Sequence, residues 1–245
     1  VKHHYVETSN HQRFMAGIAA VENRGSPEAC IMLLTGEPGT GKTATVQRFG
    51  SERMACRLEG VPGMSLAYLR DYLADQTGVH GKSTYYQHAG FEAYFRETGA
   101  PIILDEAQHG LPEKGLVIEY LRRIAEKAGV LLVLVCHTSE RHRFAEDRLA
   151  HIATRISDVT TLKTASVEDC ALYLDSLCEI KVDGAVVRQV HEQSRGRYRL
   201  LANACKTLES LAARRKVTSL SGDDVRGMRL CEDVMKNHGR QGGGK

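Results

Sequence analysis

Apolar positions along this chain follow two patterns. Through the first two thirds, short continuous apolar runs recur, among them Ile31-Met32-Leu33-Leu34, Ile102-Ile103-Leu104 and Val130-Leu131-Leu132-Val133-Leu134-Val135. Runs of this length without polar alternation are those of strands buried on both faces. They predict strands over 30–34, 101–105 and 130–135, with shorter ones over 54–58 and 158–162. Between them the apolar residues are spaced for helices. One is predicted over 9–23, capped by Thr8 or Ser9, with Phe14, Ile18 and Val21 on one face and Gly25 as its stop. Others follow to about residue 51 and over 65–76, 84–97, 113–127 and 139–149, with Leu116, Tyr120, Leu121 and Ile124 forming the apolar face of the fifth. Strands alternating with helices predict an α/β fold, a parallel sheet with helices on both faces.

After Leu162 the pattern changes. Residues 166–178, 182–194, 198–215 and 221–237 all read as helices, with no strand among them. Ser166 with Asp169 and Ser221 with Asp224 have the spacing of N-terminal capping boxes. The expected organisation is a lead-in helix over 1–26, an α/β core over 27–164, a small all-helical domain over 165–238 and a Gly-rich, disordered tail over 239–245.

Composition narrows this only a little. No apolar run is long enough to span a membrane and no signal-peptide pattern opens the chain, so no membrane partner is expected. The seven cysteines are scattered, without a C-x-x-C pair, which suits neither a disulfide framework nor zinc and fits a reduced, cytoplasmic protein. The native N-terminus is left open, since the chain begins at Val1. A net charge of +3 neither demands nor excludes nucleic acid, although basic residues cluster at Arg122-Arg123, Arg141-His142-Arg143, Arg195/Arg197/Arg199 and Arg214-Arg215-Lys216.

The chemistry is carried by Gly36-Glu37-Pro38-Gly39-Thr40-Gly41-Lys42-Thr43, a G-x-x-x-x-G-K-[ST] match between a predicted strand and a helix opened by Ala44. Glycines let successive backbone N–H groups turn toward phosphate oxygens, and the helix start adds donors and partial positive charge. Lys42 can reach the β- and γ-phosphates of ATP, and the Thr43 hydroxyl can hold Mg²⁺. The next buried strand but one ends in Asp105-Glu106. Alone, an apolar run ending in two acids is an ordinary strand end. About 60 residues after a phosphate loop, it puts carboxylates at the sheet edge where ligands of parallel sheets bind. Asp105 can hold the water shell of Mg²⁺, and Glu106 can orient or deprotonate the attacking water. The strand over 130–135 leads into Cys136-His137-Thr138, so His137 or Thr138 can position that water.

Taken in order, these features resemble the AAA+ P-loop ATPases. They are the phosphate loop, Ile103-Leu104-Asp105-Glu106-Ala107-Gln108, a polar strand end, an arginine before the last strand, and a helical lid with Gly196-Arg197-Tyr198-Arg199. Within that family the chain is similar to the transposition-regulator group of the phage Mu B protein, TnsC and IstB. Tyr5-Val6-Glu7-Thr8-Ser9 before an amphipathic helix, the Asp105–Gln108 motif and the compact size carry this finer likeness. Two features depart from the group. There is no room for the N-terminal helix-turn-helix domain of the Mu B protein, and His137 stands where Asn is more usual.

The resemblance implies that Arg155 is an arginine finger reaching a neighbouring subunit's γ-phosphate, with Arg148 as the competing candidate, and that Arg199 is the lid arginine contacting nucleotide in cis. It further implies a ring or helical filament of self-associated subunits around duplex DNA, touched along the backbone with little sequence preference and strong salt dependence. The loop over 78–83 is the expected inward contact, through Lys82, Ser83 and Thr84, with Lys114, Arg122 and Arg123 as weaker candidates. A transposase is the implied partner, and recruitment by a targeting protein or CRISPR complex stays open. Helicase loaders, replication initiators, ExeA-like ATPases and a nucleotide-gated scaffold are the alternatives.

Overall fold

The computed structural model describes residues 1–2 and 4–232, so the expected tail and the end of the fourth C-terminal helix lie outside the described residues. The chain forms two compact units. One comprises Arg13–Glu37 and Lys42–Leu162; the other comprises Val1–Gln12, Pro38–Gly41 and the described residues from Lys163 on.

The first unit is built on five parallel strands, β1 (Ile31–Gly36), β2 (Cys56–Glu59), β3 (Ile102–Asp105), β4 (Leu132–His137) and β5 (Ile156–Leu162), in the order β2-β3-β4-β1-β5. Alternate residues of each inner strand serve opposite faces. Ile31, Leu33, Ile102, Leu104, Leu132 and Leu134 enter one core, while Met32, Leu34, Ile103, Val133 and Val135 enter the other. That double burial is why these strands read as unbroken apolar runs. Helices α1 (Ser9–Glu22), through Phe14, Ile18 and Val21, and α2 (Lys42–Glu52), through Val46 and Phe49, supply the second core. Helices α3 (Leu66–Thr77), α4 (Thr84–Thr98) and α5 (Pro112–Ala128) supply the first.

Two segments of this unit differ from expectation. In α5, Glu113, Lys114 and Gly115 are left-handed, so the regular helix starts later and its face rotates. Leu116 is exposed, and Val117 and Ile118 are buried with Leu121 and Ile124. Residues 139–149 form not an α-helix but 3₁₀ turns, Thr138–Ala145 and Asp147–Leu149, followed by the single turn α6 (Ala150–Ala153).

The second unit packs α7 (Val167–Leu177), α8 (Gly184–Ser194) and α9 (Tyr198–Arg215) around Cys170, Leu174, Val186, Val190, Leu201 and Leu208. The capping box of Ser166 and Asp169 forms as expected. The all-helical expectation needs two corrections. Lys181–Val182 (β6) and Ser219–Leu220 (β7) pair as a two-residue parallel ladder. Residues 222–227 are turns, not a helix. Their backbone bonds are i→i+3 turns, among them Met228 N to Val225 O (2.9 Å), and side chains of α8 add to them: Gln189 Nε2 donates to Val225 O (2.9 Å) and Met228 O (3.0 Å), and Gln193 Nε2 donates to Met228 O (2.9 Å). Among the described residues no helix is long and apolar enough to cross a membrane.

Candidate nucleotide site

Because all five strands are parallel, their C-terminal ends share one edge, and the sequence puts polar residues there. Gly36 ends β1, with His137 of β4 beside it in register. Asp105 ends β3, paired with Glu59 of β2. Lys42, the first residue of α2, is buried, and its Nζ donates to Gly36 O (2.7 Å) and Glu37 O (3.3 Å). Burial pulls the Lys42 ammonium below the usual lysine range, and the charges of Glu106 and Asp105 work against that shift. Thr43 and Ala44, the next helical residues, are exposed.

The two acids behave differently. Asp105 is buried, and its Oδ1 accepts from Glu106 N (3.0 Å). Glu106 stands outside the strand in the left-handed region (φ 51°, ψ 43°). A non-glycine residue held there costs roughly 1–3 kcal/mol, a strain that collects at functional sites. Its Oε2 accepts from Gln108 Nε2 (2.5 Å), and His137 Nε2 lies 3.8 Å from the same oxygen, beyond hydrogen-bond distance. The Gln108 Oε1 and Thr138 Oγ1 atoms are buried without a hydrogen-bond partner. Gly60 touches this turn through backbone: its N–H donates to Asp105 O (2.8 Å), and a Cβ at Gly60 would meet Glu106 O at 2.4 Å.

The middle of the phosphate loop belongs to the second unit. Gly39 (φ 87°) and Gly41 (φ 88°) adopt the backbone region that glycine tolerates. Gly39 O accepts from Tyr198 N (2.8 Å), and the Arg197 side chain lies against Gly39. The Tyr198 ring lies beside Gly41, and its hydroxyl donates to Thr8 Oγ1 (3.0 Å). Thr40 O accepts from Asn10 Nδ2 (3.1 Å). The Gly-x-x-Arg segment thus meets the loop through Arg197 and Tyr198, whereas Arg199 is exposed on the first turn of α9.

The remaining candidates are scattered. Arg155 precedes β5 and donates through Nη1 to Glu28 Oε2 (2.6 Å). Arg148 donates through Nε to Glu146 Oε2 (2.5 Å). Lys82, Ser83 and Thr84 are exposed at the start of α4, beside the exposed Tyr85 and Tyr86, and Lys114 is exposed in the left-handed turn that opens α5. Arg123 is exposed but donates to Glu119 Oε1 (2.8 Å). Arg122 is mostly buried and is held by Glu119 and Glu126. Sequence reasoning missed Gly60, Gln108, Asn10, Arg197 and Tyr198. Only Gln108, inside the acidic motif, and the two lid residues stood near a recognised signal.

Residues 27–144 match the family model of the AAA domain. Solved structures similar to the chain include the Aeropyrum pernix ORC2 protein in ADPNP–ADP complexes, at 17% identity, covering 92% of this chain and 69% of that one, with TM-score 0.63. The Thermotoga maritima RuvB Holliday junction branch migration motor is similar at 18% identity over 89% of this chain and 67% of that one, with TM-score 0.57. Drosophila ORC bound to DNA is similar at 21% identity over 87% of this chain and 58% of that one, with TM-score 0.54. The chain therefore spans about six to seven tenths of these structures' chains. No curated protein sequence matches it. At these identities the likeness is one of fold, the fold of AAA+ P-loop NTPases. The stretch that matches this family model, just under half of the chain, contains both the phosphate loop and the acidic strand end.

Proposed function

We propose that the chain is an ATP-dependent, DNA-binding AAA+ ATPase that assembles on duplex DNA, and that it selects target DNA for a transposase. The observation that carries the ATPase reading is the sheet edge, where Lys42, Asp105, Glu106 and His137 come from three different elements. The residues fit the nucleotide. Two glycines with positive φ form a cradle, and a buried ammonium lies beside it in sequence. Asp105 is a buried carboxylate at the end of β3, and Thr43 is exposed in the first turn of α2. Thr43 and Asp105 would hold Mg²⁺, which neutralises charge on the phosphates when bound. Lys42 would exchange the carbonyls of Gly36 and Glu37 for phosphate oxygens, which relieves the cost of its burial. Glu106 would take the proton of the water that attacks the γ-phosphorus as ADP departs. Gln108 occupies one Glu106 oxygen and must yield or share it. In this reading Arg199 and Arg197 touch nucleotide from the lid, and Arg155 completes a neighbouring subunit's site.

DNA contact rests on the exposed Lys82, Ser83 and Thr84, with Lys114 and Arg123 flanking. The transposition role rests on the sequence likeness alone. A second reading, replication initiator or helicase loader, is favoured by the fold likeness to ORC2 of A. pernix and to Drosophila ORC bound to DNA. Electron microscopy of the protein on duplex DNA with ATP, a non-hydrolysable analogue or ADP tests the assembly. Filaments or rings that need ATP are expected, Lys42→Ala should abolish them, and Glu106→Gln should prolong their lifetime. Unchanged hydrolysis and lifetime in Glu106→Gln would sink the mechanism. Pull-down of a transposase rather than a helicase separates the two readings.

A further inference from the structure

The N-terminal segment does more than lead into the sheet. Asn10 is buried at 2% exposure, and its carboxamide is used at both ends. Its Nδ2 donates to Lys163 O (2.7 Å) and to Thr40 O (3.1 Å), while its Oδ1 accepts from Lys163 N (3.0 Å). Two carbonyls at one end and an N–H at the other fix the orientation of the amide. Beside it, Ser9 N and Oγ donate to Asp169 at the start of α7 (2.8 and 2.6 Å). The segment is thus strapped to the root of the lid, and one bond of the strap goes to the phosphate loop.

That bond has a geometric consequence. In a trans peptide the C=O and N–H point in opposite directions. Holding the Thr40 carbonyl on Asn10 directs the Gly41 N–H to the opposite side, just as holding the Gly39 carbonyl on Tyr198 N directs the Thr40 N–H. These successive N–H groups are the ones a glycine-rich loop presents to an anion. We propose that Asn10 is a positioning residue for phosphate binding, fixing the Gly41 N–H through Thr40 O while the Lys163 backbone holds its other end. Grip on phosphate then depends on the seating of the lid root, so nucleotide release and lid displacement are coupled through one side chain. This rests on the nucleotide-binding reading above.

The test titrates a fluorescent ADP analogue and inorganic pyrophosphate into the full chain, as wild type, Asn10→Ala, Asn10→Asp and Ser9→Ala, with nucleotide-free melting run alongside. Ser9→Ala damages the same strap without touching Thr40. Asn10→Asp keeps the acceptor for Lys163 N and loses both donors, so it decides the matter if Asn10→Ala does not fold. We expect both Asn10 variants to bind both probes ~10-fold more weakly, the scale of one lost well-aligned hydrogen bond, with Ser9→Ala within ~2-fold. Wild-type affinity in the Asn10 variants, or equal loss in Ser9→Ala, would make the strap merely structural and overturn the proposal. Failure of the wild type to bind either probe would instead remove the nucleotide-binding reading itself.

Discussion

Gly60 constrains the turn that carries Glu106 from outside every motif. Its backbone closes on the Asp105–Glu106 turn so tightly that one added methyl would overlap Glu106 O at 2.4 Å and crowd Asp105 O at 3.2 Å. Backbone atoms cannot rotate away, so Gly60→Ala must shift the turn that holds Glu106 in its left-handed conformation, at a cost of about 1–3 kcal/mol. Lys42 and the loop glycines lie on another element. Gly60→Ala should therefore lower the rate of ATP hydrolysis at least ~10-fold while ADP affinity stays within a few-fold, a split read by steady-state kinetics beside equilibrium titration. Parallel loss of both would mean that the turn also shapes the phosphate loop. The placement of Lys42, Asp105 and Glu106 was legible in the sequence because it follows from residue type and local spacing. Gly60 and Asn10 were not, because each acts by meeting a backbone oxygen donated by a segment 30 or more residues away. The left-handed backbone of Glu106 was equally invisible, since nothing in Asp-Glu-Ala-Gln asks for it.

The sheet was readable for the reason that it is doubly covered. The three inner strands are buried on both faces, and three continuous apolar runs marked them in the right order. Residues 222–227 were misread as helix because their turns are held from another element, with Gln189 and Gln193 of α8 bonding the backbone of Val225 and Met228. Helix α5 shows the same limit for charge. Arg122 and Arg123 read as a basic cluster, yet Glu119 binds both and Glu126 also takes Arg122. Burial opposes the Glu119 charge, but hydrogen bonds from Arg122 and Arg123 outweigh it and pull its pKa down from 4.5 to about 2. A carboxyl depressed in the folded state stabilises the fold above its unfolded pKa and loses that contribution as pH falls through its folded pKa. Denaturant unfolding should therefore find Glu119→Gln less stable than wild type by a constant margin from pH 7 to about 5. The margin should close as pH falls from about 4.5 toward 2. A margin independent of pH over that window would mean that packing, not charge, is what Glu119 contributes.

Whether the molecule works alone or in an assembly turns on where Arg155 stands. Ile31 N donates to Arg155 O (3.2 Å), which fixes Arg155 at the starting edge of the sheet. The phosphate loop leaves the other edge, a strand length of about 17 Å away, well beyond an arginine side chain. Arg155 therefore cannot complete its own subunit's site, and in the single chain it is occupied by Glu28. In a head-to-tail contact, where each subunit offers one edge to the next, the same arginine can exchange Glu28 for a neighbour's γ-phosphate. This predicts complementation between two inactive proteins. Arg155→Ala keeps Glu106 and lacks the finger; Glu106→Gln keeps the finger and lacks the carboxylate. Each alone should hydrolyse ATP at background level, with both still binding nucleotide. In an equimolar mixture on DNA, random neighbours pair an intact Glu106 with an intact finger at about a quarter of the positions, so roughly a quarter of wild-type turnover should return. Arg148→Ala, tested in the same way, decides between the two arginines: it should be active alone if Arg155 is the finger. Silence from the Arg155→Ala and Glu106→Gln mixture, with both proteins folded and assembled, would mean that this arginine does not act between subunits.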